Sequence, residues 1–167
     1  MDDIAQLKPT IFASVPRLFN RIYDRIRGTI KAEGGMKQTI FEKAYKSKLD
    51  ALKKGHLPES LVWDSLVFKK VRARLGGRVR LITSGAAPLQ SEVHDFLRVC
   101  FCVPVLQGYG LTETTGGSVA QNQNDLTSGN TGTPFPCLGK IYIYIYNDYV
   151  SFYKLLIASA QNTSWLM

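Results

Sequence analysis

The sequence predicts an α/β protein built from βαβ units, with parallel strands and flanking helices. Three observations carry this. Val79-Arg80-Leu81-Ile82-Thr83 and Val103-Pro104-Val105-Leu106 are short apolar runs of strand length. Between them, Val93, Phe96, Leu97 and Cys100 recur at i, i+3, i+4 and i+7, the stripe of an amphipathic helix. Each strand runs into a turn of small residues, Ser84-Gly85-Ala86-Ala87-Pro88 after the first and a glycine-rich stretch from Gln107 after the second. Strand, helix, strand at this spacing is a crossover, so the two strands should lie parallel. Both turns then emerge at the carboxyl edge of the sheet, where open α/β sheets hold their ligands.

The other elements follow in order. Leu7 to Ala13 should be extended, because Pro9 disfavours helix at the residue before it, and should add a strand to the same sheet. Pro16 suits a first helical turn, where its missing N–H costs nothing, and Val15, Leu18, Phe19, Ile22 and Ile26 form that helix's buried face. Gly34-Gly35 separates a second helix, with Phe41, Tyr45, Leu49 and Leu52 on one side and many lysines on the other. Gly55-His56-Leu57-Pro58 breaks it, leaving His56 solvated. A third helix carries Trp63, Val67, Val71 and Leu75 on one stripe and stops at Gly76-Gly77. Lys69, Lys70, Arg72 and Arg74 suit its C-terminus electrostatically; contact with membrane headgroups or with phosphates is the functional reading of the same four. In the crossover helix Ser91 or a neighbour can cap the start, with Glu92 in the first turn, and His94 lies beside the stripe.

Size and charge bound the rest. The 167 residues with 45% hydrophobic content suffice for one globular domain. The net charge of +8 is spread over helix faces with no run of five like charges, and no basic stripe is interleaved with aromatics, so no nucleic-acid partner is expected. The three cysteines, Cys100, Cys102 and Cys137, lack paired metal spacing and fit reduced intracellular thiols, with Cys100 in the packing. Met1-Asp2-Asp3 does not open a signal peptide, and no segment has the roughly 18 apolar residues of a membrane span.

Leu106 to Gly117 is the most informative stretch: Gly108, Gly110, Gly116 and Gly117 stand among Tyr109, three threonines and Glu113. One reading is a strand-to-loop turn that needs glycine for its dihedrals. The other is a ligand cradle, in which glycines let backbone approach a ligand while Thr112 and Glu113 offer oxygens to phosphate and a hard cation. The stretch matches neither a dinucleotide fingerprint nor a Walker A loop. Set side by side, the two small-residue turns would leave a slot thin enough for a planar ring.

Ser84-Gly85-Ala86-Ala87-Pro88-Leu89 followed by Gln107-Gly108-Tyr109-Gly110-Leu111-Thr112-Glu113 resembles the adenylate-forming (AMP-binding) superfamily, and Leu7-Lys8-Pro9-Thr10 with Val15-Pro16-Arg17-Leu18 resembles its long-chain acyl-CoA synthetases. The match covers Asp2 to about Cys137. The resemblance implies a piece of the N-terminal domain of a long-chain fatty acid–CoA ligase, which activates fatty acid with ATP to acyl-AMP and passes it to CoA. By resemblance, Thr112 would donate a hydroxyl to the α-phosphate and Glu113 would hold Mg²⁺. Gly85, Ala86, Gln107, Gly108, Tyr109 and Gly110 would line the nucleotide site, with Ala86 and Ala87 leaving room for the acyl carboxyl end. The family's lysine-bearing phosphate loop, ribose-binding aspartate and C-terminal lysine have no counterpart in these residues, so the fragment alone is expected to be inactive, with the CoA site elsewhere. The alternative is a non-catalytic truncated product that at most binds nucleotide or a partner. The implied location is the cytosolic face of the endoplasmic reticulum or another organelle membrane, with peripheral membrane contact.

Residues 1–137 are therefore read as a partial AMP-binding domain and 138–167 as a tail outside the family, poorly ordered or non-native. Ile141 to Tyr146 alternates in period 2 with both faces apolar, an aggregation-prone composition. An alternative transcript or misplaced gene boundary, and a lineage-specific tail, are the two accounts of it.

Overall fold

The computed structural model describes residues 2–114, 116–136, 141–144 and 154–157. Five strands form one mixed sheet in the order β1 (Ile11–Ser14), β2 (Leu81–Ser84), β3 (Val105–Leu111), β4 (Gly116–Ala120) and β5 (Thr133–Pro134). The first three are parallel, with Ile11 opposite Leu81 and Ile82 opposite Val105. The β3–β4 and β4–β5 pairs are antiparallel. Strands β6 (Ile141–Tyr144) and β7 (Lys154–Ile157) form a separate antiparallel pair. The order of the rest of the tail lies outside the described residues.

The chain enters through α1 (Asp2–Leu7), so Leu7 is helical rather than extended. Pro9 restricts only its immediate predecessor, and Lys8 stands at φ 49° with its N–H bonded to Ile4 O, ending the helix. The strand begins at Ile11 instead. Helix α2 (Pro16–Glu33) has Pro16 in its first turn, as expected, and buries Phe19, Ile22 and Ile26, whereas Val15 before it is 46% exposed. Gly34 (φ 54°) breaks the chain before α3 (Gly35–Lys53), which buries Phe41, Ala44, Tyr45 and Leu52. It buries Lys48 as well, at 2% exposure, contrary to the reading that places its lysines on a solvated face.

The explanation of Lys48 lies in the next segment. Helix α4 (Leu61–Trp63) passes through a π turn (Asp64–Phe68) into α5 (Lys69–Ala73). Ser60 caps the start: its Oγ accepts from Trp63 N, and Asp64 Oδ2 accepts from Ser60 N at 3.0 Å. Asp64 also pairs with Lys48 and, at 3.2 Å, with Arg72, while Lys48 Nζ lies 4.4 Å from the Phe68 ring centroid. Desolvation pushes the Asp64 carboxyl up, but hydrogen bonds from Lys48 and Ser60 and the charges of Lys48 and Arg72 outweigh it and hold the group below its ordinary range. The extra residue in the π turn brings Phe68 fully inside beside Val71 and Leu75 and leaves Trp63 and Val67 half-buried.

Helix α6 (Ser91–Phe101) buries Val93, Phe96, Leu97 and Cys100, the expected stripe. No side chain caps its start; Gln90 is the N-cap residue, and Glu92 accepts from Tyr23 Oη at 2.6 Å. Burial pushes the Cys100 thiol well up, so it serves as an apolar side chain. Phe12 meets Phe19 edge-on at 5.8 Å, and Phe96 meets both Tyr23 and Tyr45, joining sheet, α2, α3 and α6 in one core. The helices thus cover the sheet face that carries Phe12, Ile82 and Val105, while Ile11 on the other face is 61% exposed.

Candidate functional site

The carboxyl edge of β2 and β3 holds the residues singled out in the sequence. Register places Ser84 opposite Gln107, so the next residues, Gly85 and Gly108, are neighbours. A methyl group built on Gly85 would touch Gly108 O at 3.9 Å. The two small-residue segments therefore lie side by side on parallel strands, as the crossover argument requires. Gly85 N–H donates to Ser14 O at 3.3 Å, tying the first turn to the end of β1. Within that turn Ala86 adopts φ 70°, a left-handed conformation unusual for a residue with a side chain. Strain of about 1 kcal/mol or more is held here. Ala86 and Ala87 are exposed, and the buried Ser84 Oγ has no hydrogen-bond partner among the described residues.

The second segment departs from its sequence reading. Gln107 to Leu111 is not a loop: β3 continues through the glycines and pairs with β4, with an irregularity in register between Tyr109 and Gly110. At Gly108 and Gly110 glycine is demanded by close backbone approach, whereas Gly116, just past the turn, stands at φ 104° with open space around it and is demanded by its dihedral. A Cβ on Gly110 would lie 1.8 Å from Gly116 O, and one on Gly108 would lie 3.2 Å from Val119 O. The turn is displaced to Thr112–Thr114, a 3₁₀ turn closing the β3–β4 hairpin. Thr114 Oγ1 accepts from Leu111 N at 3.0 Å and lies within bonding distance of the Leu111 and Gly116 carbonyls. Thr112 and Glu113, by contrast, are exposed, and no side-chain hydrogen bond among the described residues engages them.

A buried polar network sets the positions of both segments. Gln107 Oε1 accepts from Leu89 N at 2.6 Å, and its Nε2 donates to Asn130 O at 2.9 Å. Gln107 therefore contributes backbone to the strand while its side-chain amide holds the 84–89 turn and the 121–132 loop. Gln121 answers across β3: its Oε1 accepts from Gln107 N, and its Nε2 donates to Thr127 O and Asn130 Oδ1. Arg98, fully buried on α6, donates to the carbonyls of Val105, Asp125, Leu126 and Thr127. His94 lies one turn earlier and bonds Val105 O through Nε2 at 2.8 Å, which makes Nε2 the protonated nitrogen. Burial and the Arg98 charge hold the His94 pKa below its ordinary value, so the ring is a neutral structural group.

Residues 121–136 have the polar, breaker-rich composition of a loop, which the structure bears out except where Thr133–Pro134 pair as β5, and nothing in that composition points to Arg98. The available signal is that His94 and Arg98, four residues apart, flank the apolar stripe of a helix that is buried nearly all round. A shallow groove on α3, lined by Gln38, Thr39, Glu42, Lys43 and Lys46, belongs to one helix face and shares no residue with the turns.

Comparison with known proteins agrees with this arrangement. The chain is 52% identical over 136 residues to long chain acyl-CoA synthetase 7, peroxisomal, of Arabidopsis thaliana, covering 81% of this chain and 19% of that protein. It is 43% identical over 137 residues to human long-chain-fatty-acid–CoA ligase 1, covering 82% and 19%. The chain thus spans about a fifth of the length of these curated relatives. Among solved structures it is similar to the adenylation domain of a carboxylate reductase from Mycobacterium chelonae, with TM-score 0.56 and 23% identity over 85% of this chain and 18% of that one. A benzoate CoA ligase from Burkholderia xenovorans follows at TM-score 0.50 and 19% identity, over 85% of this chain and 20% of that one. These two likenesses establish the fold. The model of the AMP-binding enzyme family matches residues 1–149, past Cys137. With parallel strands, paired glycine segments and the Thr112–Glu113 turn at the expected sheet edge, the chain belongs to the family of AMP-binding enzymes.

Proposed function

We infer that this chain is part of a long-chain fatty acid–CoA ligase and supplies one side of its adenine and acyl pocket. The observation that carries the reading is the Gly85–Gly108 juxtaposition beside an exposed, unengaged Thr112 and Glu113. The residues fit a nucleotide. Two bare backbone segments leave room for a flat ring, and the orphaned Ser84 Oγ adds a polar atom at the end of β2. They fit magnesium as well, because Mg²⁺ is commonly held by one or two carboxylates plus substrate phosphate oxygens. Among the described residues no group of three or more metal-ligating side chains is assembled, so Glu113 acts as a single ligand to a phosphate-borne ion.

In the proposed mechanism Gly85, Ala86, Gln107, Gly108, Tyr109 and Gly110 line the nucleotide through their backbone. Thr112 donates its hydroxyl to the α-phosphate, and Ala86 and Ala87 keep the approach of the fatty-acid carboxylate clear. When bound, Mg²⁺ would supply neutralisation of phosphate charge. Positioning and preorganised charge are the protein's contribution, since the reaction brings two anions together. The partners are long-chain fatty acid, ATP and CoA, and the proposed location is the cytosolic face of an organelle membrane. The family portion is taken as residues 1–137, a length close to the 136 and 137 residues aligned to the two relatives, although the family model runs on to residue 149.

The test is AMP binding to this chain by calorimetry, with Thr112→Ala and Glu113→Gln, followed by Glu113→Gln in the full-length parent. Adenylation should fall on the order of 10²-fold. Unchanged acyl-AMP formation at limiting Mg²⁺ would refute the assignment of Glu113.

A further inference from the structure

We propose that the outer side of the α4–π–α5 helix is a docking surface for an anionic lipid bilayer. Residues 61, 62, 65, 66, 69, 70 and 73 are all exposed. They recur at four-residue intervals, which would spiral round a regular α-helix of 3.6 residues per turn. The π turn at Asp64–Phe68 takes up the difference and keeps them on one side. That side carries Leu61, Val62 and Leu66 at 94%, 59% and 70% exposure, an apolar group on a helix whose opposite side supplies Phe68 and Val71 to the core. Lys69 and Lys70 continue the same stripe, also exposed.

Charge complementarity selects the occupant. The carboxylate within the helix, Asp64, is turned inward to Lys48 and Arg72 and cannot offset the two lysines. Lys53 and Lys54, exposed at the end of α3, add to a chain whose net charge is +8; Asp50 in the same turns of α3 and Glu59 before the helix are the nearby exposed acids in sequence, two against the four lysines. Large aliphatic side chains leading into lysines on one helix face suit insertion into the headgroup boundary of a negatively charged membrane. Apolar exposure alone would suit a protein partner equally, but the lysine pair in line with the leucines favours lipid. The proposal concerns a face distinct from the glycine segments and needs no nucleotide, so it stands or falls separately from the ligase reading.

The experiment is co-sedimentation of the 167-residue chain with phosphatidylcholine vesicles, with and without phosphatidylserine, at low and high salt. Binding should require phosphatidylserine and weaken with salt. Lys69→Glu with Lys70→Glu should lower the partition coefficient roughly tenfold or more, at about 1 kcal/mol per basic residue near an anionic surface. Leu61→Asp with Leu66→Asp should abolish binding. All four side chains are exposed, so far-ultraviolet circular dichroism should be unchanged. Ile11→Asp, on the open face of the sheet, is the control and should bind as the parent does. Equal binding by all variants, loss with Ile11→Asp, or a dimer dispersed by the leucine changes without vesicle binding would each overturn the proposal.

Discussion

Gly110→Ala should open the β3–β4 hairpin while leaving the helical core folded. The added Cβ would sit 1.8 Å from Gly116 O, 2.6 Å from Gly116 C and 2.8 Å from Gly117 Cα. All three are backbone atoms, so no side-chain rotation relieves the overlap. Nonbonded carbon prefers a separation of about 3.5 Å, so the strands would have to part by more than about 1 Å. That breaks the pairing of Gly110 with Gly117 and of Leu111 with Gly116, together with the Thr114 bonds across the turn. At about 1 kcal/mol per net hydrogen bond, the local loss is roughly 2–4 kcal/mol. The main core cluster ends at Val105 in this strand, so the opening should be local, with little change in global melting. Gly117→Ala is the matched comparison: its Cβ meets only the Phe135 ring, at 3.1 Å for the nearest atom, and a ring can move. Hydrogen exchange read by mass spectrometry over residues 105–120 should show Gly110→Ala losing protection and Gly117→Ala keeping most of it. AMP affinity should follow the same order. Equal protection in the two variants would refute the close-approach argument.

Asp64→Asn should destabilise the chain by about 3–5 kcal/mol in urea unfolding, because it strands Lys48 at 2% exposure without a counter-charge. The pairing also predicts the pH response. The folded Asp64 pKa is lowered, so its contribution is complete above the ordinary aspartate value of about 3.9 and is lost as pH falls through the folded value; an acid-unfolding midpoint identical in Asp64→Asn would contradict this. Arg98→Gln should speed amide exchange and proteolysis within residues 122–130, since four backbone carbonyls lose their shared donor; unchanged cleavage there would show that the loop holds itself. Ending the chain near Cys137 should raise soluble yield without weakening AMP binding, and a shorter chain that precipitates more would show that the tail is needed.

What could be read along the chain were features generated by neighbours in sequence. Pro16 in a first turn, Gly34 as a break and the Val93–Cys100 stripe depend on backbone preference and helical period. With the strands on either side of α6 they specify a parallel pair and the edge where the glycines fall. Tertiary pairing decided the rest. Gln107 to Leu111 became strand instead of loop because β4 returns against it, and Gly110 and Gly108 are explained by the carbonyls of Gly116 and Val119 on that returning strand. Lys48 went inside because Asp64, sixteen residues away, was turned toward it through a π turn that no residue pattern announces. Arg98 found its acceptors in the loop of residues 125–127 and at Val105. A hydrophobic repeat marks which face is buried, but a buried charge is tolerable only where a distant partner arrives, and that depends on how the whole chain packs.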